Sequence, residues 1–162
     1  MDIYLIRHAE AVDPEQAGDM SDFDRPLTDT GQAQAQQLAK ALPVRGANIQ
    51  RLFVSPLVRT RQTAEPLIAV WGLTGDAVVE CEELAPGGRK RKLAKRLTEQ
   101  PAAVVGLVGH RPDLNEFAGW LIGDKDVQIA MDKGGVAFIQ TEEEEVKKGA
   151  GELIWLLPER WI

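Results

Sequence analysis

The stretch Ala102–Val108 limits the fold more than any other part of the chain. Its residues are apolar or glycine on both faces, so as a strand it needs cover on both sides. The rest of the chain offers that cover by alternating short β-rich runs with helical runs. Ile3–Ile6 reads as a first strand. Ala35, Leu38, Ala39 and Leu42, spaced i, i+3, i+4, i+7, read as one face of a helix. Leu52–Val54 reads as a second strand. Ser55-Pro56 then reads as an N-cap with proline at the first helical position, opening a helix through Leu57, Ala64, Leu67 and Trp71 that Pro66 kinks or divides. Ala77–Cys81 is a third strand. Lys90–Gln100 is a third helix, with Leu93 and Leu97 on one face, stopped by Pro101. A helix opened by Pro112 runs to about Gly123, and Val136–Thr141 and Glu152–Leu157 are closing strands joined by an exposed charged turn, Glu142–Glu145 with Lys147, Lys148 and Gly149. The pattern predicts a three-layer α/β/α sandwich around a mostly parallel sheet, formed by residues 1–162 as a single domain.

Composition narrows the function classes. The chain has 162 residues, 44% of them hydrophobic, a globular balance. A formal net charge of −6 speaks against a generic nucleic-acid binder. A single cysteine, Cys81, excludes an internal disulfide and a cysteine-rich zinc site and reads as a small buried apolar residue. The N-terminus lacks a signal-peptide pattern, and the longest apolar run, Ala102–Gly109, falls short of the ~20 residues of a membrane span. A soluble, cytoplasmic protein without a membrane partner is expected, its oligomeric state open.

Ligand sites in such sheets lie beyond the carboxyl ends of the strands. Both histidines of the chain, His8 and His110, closely follow a strand run, and Arg7 adjoins His8. Arg59 falls in the first turn after the second strand and leans back toward the same edge; Arg61 faces roughly the other side of that helix and is the weaker candidate. Two arginines with one histidine donor make a cradle for a tetrahedral dianion, because the guanidinium fork matches two oxygens and stays charged. The second histidine is then free to act as a nucleophile near neutral pH. The arginines supply the charge stabilisation, so no metal and no cofactor is required.

Leu5-Ile6-Arg7-His8-Ala9-Glu10-Ala11, Arg25-Pro26-Leu27-Thr28 with Gly31, Ser55-Pro56-Leu57-Val58-Arg59-Thr60-Arg61-Gln62-Thr63-Ala64 and Val108-Gly109-His110 together resemble the histidine phosphatase superfamily. The small size, the Arg-His-Ala form and the early Arg-Pro-Leu-Thr are similar to its SixA-type phosphohistidine phosphatase branch. The resemblance covers essentially the whole chain. It implies a phosphoglycerate mutase-like fold, phosphorylation of His8 during turnover, and phosphoryl binding by Arg7, Arg59 and His110. Arg25 stands where this branch has an additional arginine, or it pairs with the acidic loop before it. The family commonly has Asn where this chain has Arg111, which is expected to face solvent. Larger members carry a cap and an acid near the third strand. No large cap is expected here, and Glu83, then Glu82, is the positional candidate for the acid.

The resemblance therefore implies a phosphatase acting on phosphohistidine in a phosphoprotein. A phosphoramidate expels imidazole, which needs less help from a general acid than an alkoxide does, and an open site admits a protein side chain. A phosphatase of small phosphate esters is the alternative, and a catalytically weak phosphate-binding or docking module is the alternative from another class. Two charge clusters remain. Residues 9–24 form an acidic loop whose carboxylates should face outward or pair with arginines, and the basic stretch Arg89, Lys90, Arg91, Lys92, Lys95 and Arg96 reads as a solvated face.

Overall fold

Alternation within the first strand divides the molecule in two. In the computed structural model, which describes residues 1–123, 127, 129–142 and 145–162, β1 is Asp2–Arg7. Ile3 and Leu5 point into one hydrophobic cluster, while Tyr4 and Ile6 point into another. The chain then forms α1 (Asp29–Val44), β2 (Arg51–Val54), α2 (Val58–Trp71), β3 (Val78–Glu80), α3 (Lys90–Glu99), β4 (Val104–Gly109), α4 (Asp113–Leu121), β5 (Val136–Thr141) and β6 (Gly151–Leu157). Leu38 and Leu42 of α1 pack with Ala64 and Leu67 of α2 on the Tyr4 face. Leu93 and Leu97 of α3 pack with Leu114 and Phe117 of α4 on the Ile3 face. This is the expected three-layer arrangement.

The six strands form one sheet in the order β3-β2-β4-β1-β5-β6. The β2–β3, β2–β4 and β1–β4 pairings are parallel, and β1–β5 and β5–β6 are antiparallel, so the sheet is mixed. β4, the strand apolar on both faces, lies between β1 and β2, and its Val105, Leu107 and Val108 are fully buried. Gly106 lets Leu52 and Ile49 pack close to β4: a Cβ there would stand 2.6 Å from Leu52 Cδ1 and 2.9 Å from Ile49 Cδ1, so both side chains would have to shift. Parallel pairing of β1, β4 and β2 brings the carboxyl ends of the strands that precede His8, His110 and Arg59 to one edge. Between β3 and β4 the chain makes only a 3₁₀ turn, Glu82–Leu84, and α3, so that edge carries no large cap.

Three local expectations change. Ser55 does not cap α2: the helix begins at Val58 with Leu57 at its N-cap, and the Ser55 hydroxyl goes elsewhere. Pro66 does not divide α2, which continues to Trp71 and ends at Gly72 in the left-handed region, φ 61°. The third strand is shorter than expected, because Cys81 already leads into the 3₁₀ turn. Of the charged turn between the closing strands, Glu143 and Glu144 lie outside the described residues.

Candidate active site

His8 is the first residue beyond β1. Its amide donates to Gly109 O at 3.0 Å, which ties it to the end of β4. Its Nδ1 lies 2.7 Å from the Ala9 carbonyl oxygen. A carbonyl can only accept, so Nδ1 carries the proton and Nε2 keeps its lone pair. Burial is the main cause that lowers the imidazole pKa to about 4; the Ala9 hydrogen bond opposes the shift, and the charges of Arg59, Arg7 and Lys133 add to it. His8 is therefore neutral at pH 7, the form that can attack phosphorus.

His110 follows β4 directly. The two imidazoles lie side by side, tilted by 53°, with centroids 5.2 Å apart. Burial, and then the neighbouring His8 and Arg59, bring the His110 pKa down to about 3, so it too is neutral. Its Nε2 lies 2.8 Å from the buried Ser55 Oγ, and its buried Nδ1 has no hydrogen-bond partner among the described residues. If the Ser55 hydroxyl donates to Nε2, the proton sits on Nδ1 as a free donor. That is the tautomer an oxyanion requires.

Arg59 sits in the first turn of α2 and is only 3% exposed, so an anion there meets a weakly hydrated charge. Arg7 donates Nη1 to Met131 O at 2.8 Å, which fixes its fork. The Nε atoms of Arg7 and Arg59 are buried and unpartnered among the described residues. Burial is the first cause that lowers both guanidinium pKa values from their ordinary range. Thr63 explains its place one turn after Arg59: its buried hydroxyl donates to Arg59 O at 2.7 Å and accepts from Ala9 N at 3.1 Å, linking α2 to the residue after His8.

The acidic loop turns inward at one point. The carboxylate of Asp22 accepts from Arg25 Nε at 2.9 Å and from Arg59 Nη2 at 3.1 Å, and its carbonyl accepts from Arg59 Nη1 at 2.6 Å. Burial would raise the Asp22 pKa, but the two arginines outweigh it and lower it. Arg25 thus pairs with the acidic loop, as one of its two expectations had it, and Asp22 links it to Arg59. Lys133 is absent from the sequence expectations, Asp22 stands there only as one of the acidic-loop carboxylates, and Ser55 only as a helix cap and part of the Ser-Pro motif. Their places in the site were not marked locally: Lys133 acts on His8 and Ser55 on His110, and Asp22 reaches Arg59, 37 residues on, as well as nearby Arg25.

Glu83 is placed differently from the expectation of a proton donor. Arg96 holds its carboxylate with Nε–Oε2 2.9 Å and Nη2–Oε1 3.2 Å, and the Cys81 thiol donates to Oε2 at 3.4 Å. Burial pushes its pKa up, but the Arg96 hydrogen bond, helped by its own backbone, wins and lowers it. A carboxylate held ionised is poorly suited to donate a proton at neutral pH. Glu82 is exposed. Arg111 is exposed as expected, and its charge acts on Arg7. Cys81 is fully buried, and burial first, then Glu83, raises its pKa to about 12. Among the described residues no cluster of His, Cys, Asp and Glu has the form of a metal site, and no helix is long and apolar enough to cross a membrane.

Comparison with known proteins bears on the family and the fold. An uncharacterized protein of Picosynechococcus is 31% identical over 100% of this chain and 99% of its own. The phosphohistidine phosphatase SixA of Escherichia coli is 29% identical, with 76% of this chain and 73% of its own covered. A structure of the protein histidine phosphatase SixA complexed with tungstate superposes with a TM-score of 0.85 at 23% identity, over 99% of this chain and 98% of that one. The same fold also occurs in the α-ribazole phosphatase of Shigella flexneri, with a TM-score of 0.75 at 20% identity over 98% and 97% of the two chains. The profile of the histidine phosphatase superfamily (branch 1) matches residues 3–118, from β1 into α4. That span holds Arg7, His8, Arg59 and His110 alike, and the chain belongs to this superfamily, with SixA-type proteins among its relatives.

Proposed function

We propose that this phosphatase hydrolyses phosphohistidine on a phosphoprotein through a phosphorylated His8. The observation that carries the reading is the neutral His8 ring, with its Nδ1 proton held by Ala9 O and Nε2 left free, among Arg7, Arg59 and His110. Nε2 forms a bond to phosphorus while the bond from phosphorus to the substrate imidazole breaks, and that imidazole takes the pair of electrons and leaves neutral, with the proton already on its other nitrogen. Water then attacks the phosphorus on His8, the His8–phosphorus bond breaks with its electron pair returning to Nε2, and inorganic phosphate departs with the oxygen and protons of the water. The two guanidinium groups and the His110 N–H neutralise the equatorial oxygens in both steps, with Arg25 assisting at the rim. None of these steps calls for a metal or another cofactor.

Two features support a phosphoramidate substrate. The expected acid, Glu83, is held ionised by Arg96, and an imidazole leaving group has the least need of one. The uncapped edge of the sheet leaves room for a histidine presented by another protein. A cytoplasmic location goes with such a substrate. A second reading, turnover of small phosphate esters, draws on the fold shared with the α-ribazole phosphatase.

The deciding experiment compares a phosphohistidine protein with phosphoserine, phosphotyrosine and sugar phosphates, and traps the enzyme by rapid acid-free quench. Phosphohistidine should be the preferred substrate, with label on wild-type enzyme and none on His8→Ala, which should retain tungstate binding. Faster turnover of the small esters would replace this reading with the second one. Turnover in His8→Ala above about a hundredth of wild type would mean another nucleophile.

A further inference from the structure

A groove runs beside the site, between the first turns of α3 and α4. It consists of two adjoining cavities of about 530 and 410 Å³ that share Lys90, Arg91 and Glu116. The first cavity is floored by Leu84, Leu93, Leu114 and Phe117. The second extends to Arg111, next to His110, and to Lys148 beyond β5. The groove adjoins the catalytic edge directly: Leu84 and Leu114 lie so close to Gly109, the residue before His110, that a Cβ there would stand 3.3 Å from each.

The charge of this groove is not balanced from within. Its carboxylates are already engaged: Glu83 by Arg96, Glu116 by Lys90 at 3.2 Å, and Asp113 by the Gly87 amide at 3.2 Å. Arg89, Arg91, Lys92, Arg111 and Lys148 have no carboxylate partner among the described residues. Three of these free cations stand at the wrong end of a helix. Arg89 is the N-cap of α3 without a capping side chain, Arg91 and Lys92 lie in the first turn, and no acid accompanies them. Cations there oppose the helix dipole. On a chain of net charge −6, such a concentration of unpaired cations beside the catalytic edge is local and directional.

We infer that this groove docks an acidic face of the protein that carries the phosphohistidine. The inference rests on the phosphohistidine reading above and gives it a partner of stated chemistry. Carboxylates of the partner would supply the anions that α3 lacks, and Arg111 would lead the phosphorylated side chain from the groove to Arg7. Electrostatic docking of this kind acts on encounter and on KM, and it weakens with salt.

The test uses the full chain with Arg91→Glu and Lys92→Glu combined. Both residues are exposed, and acids in a first helical turn suit the dipole, so the variant should melt no lower than wild type. Two substrates are compared: free phosphohistidine, and a phosphorylated histidine-containing phosphotransfer domain with carboxylates around its histidine. The variant should raise KM for the domain about tenfold or more at low salt and leave kcat/KM for free phosphohistidine unchanged. High salt should bring wild type and variant together. Equal values for wild type and variant on the domain, or equal losses on both substrates, would overturn the docking surface while leaving the phosphohistidine reading intact. Failure of wild type itself on both phosphohistidine substrates would overturn both. Binding of an oligonucleotide by wild type, lost in the variant, with an unchanged KM for the domain would assign the groove to nucleic acid instead.

Discussion

Acid is the perturbation that tests the proposed nucleophile most directly. A histidine in water titrates near 6.5, whereas burial and three neighbouring cations hold His8 at about 4. The difference, 6.5 − 4, is about 2.5 pH units, or ~3 kcal/mol at ~1.4 kcal/mol per unit. Protonation puts a hydrogen on Nε2 and removes the attacking pair, so activity is lost as pH falls. Once the substrate's own ionisation is corrected for, kcat/KM should stay level from pH 7 to about 5 and then fall with a one-proton slope centred near 4. Stability follows the same sign. The unfolded histidine takes up its proton near 6.5 and the folded one resists until about 4, so the unfolded chain binds more protons in that window. This contribution is complete above 6.5, declines on acidification, and is gone below about 4. Ring NMR of His8 reads the midpoint directly. Tungstate should move it upward, because a bound dianion favours the imidazolium. A free-enzyme midpoint near 6.5, or an acid limb there, would refute the claim that burial and the arginines keep His8 neutral.

Ser55→Ala should lower kcat about tenfold or more with little change in melting temperature, because His110 loses the partner that fixes its proton; rescue by Ser55→Thr, measured in the same assay, separates this from a packing defect. Asp22→Asn should tighten tungstate about two- to fivefold in a titration, since it removes the carboxylate competing for Arg59 and Arg25 from an exposed position. Glu83→Gln should leave phosphohistidine turnover within about twofold of wild type while lowering thermal stability through loss of the Arg96 pair; a loss of ~10²-fold in turnover would restore Glu83 as the acid. Gly31→Ala should destabilise the fold by about 2–3 kcal/mol in urea titration, because its Cβ would stand 1.9 Å from the Glu10 backbone oxygen.

Local sequence was enough for the framework. The alternation of Ile3 and Leu5 with Tyr4 and Ile6, and the apolar residues on both faces of β4, encode which face each strand presents; neighbouring residues alone set that period. Arg7, His8 and His110 were legible for the same reason, as charged or polar residues where apolar strands end, and Arg59 as the first turn of the next helix. Tertiary structure alone decided how these residues are held. Ser55 reads locally as a cap, yet its hydroxyl is bound to His110, 55 residues away, and Leu57 begins the helix without it. Glu83 reads as an acid by position, yet Arg96 on the next helix keeps it ionised. Asp22 lies among several similar carboxylates, and only the return of the loop against α2 selects it to bridge Arg25 and Arg59. Periodicity is a property of consecutive residues. A tautomer, an ion pair or a depressed pKa depends on burial and on which distant segment lies alongside, and the folded sheet sets both.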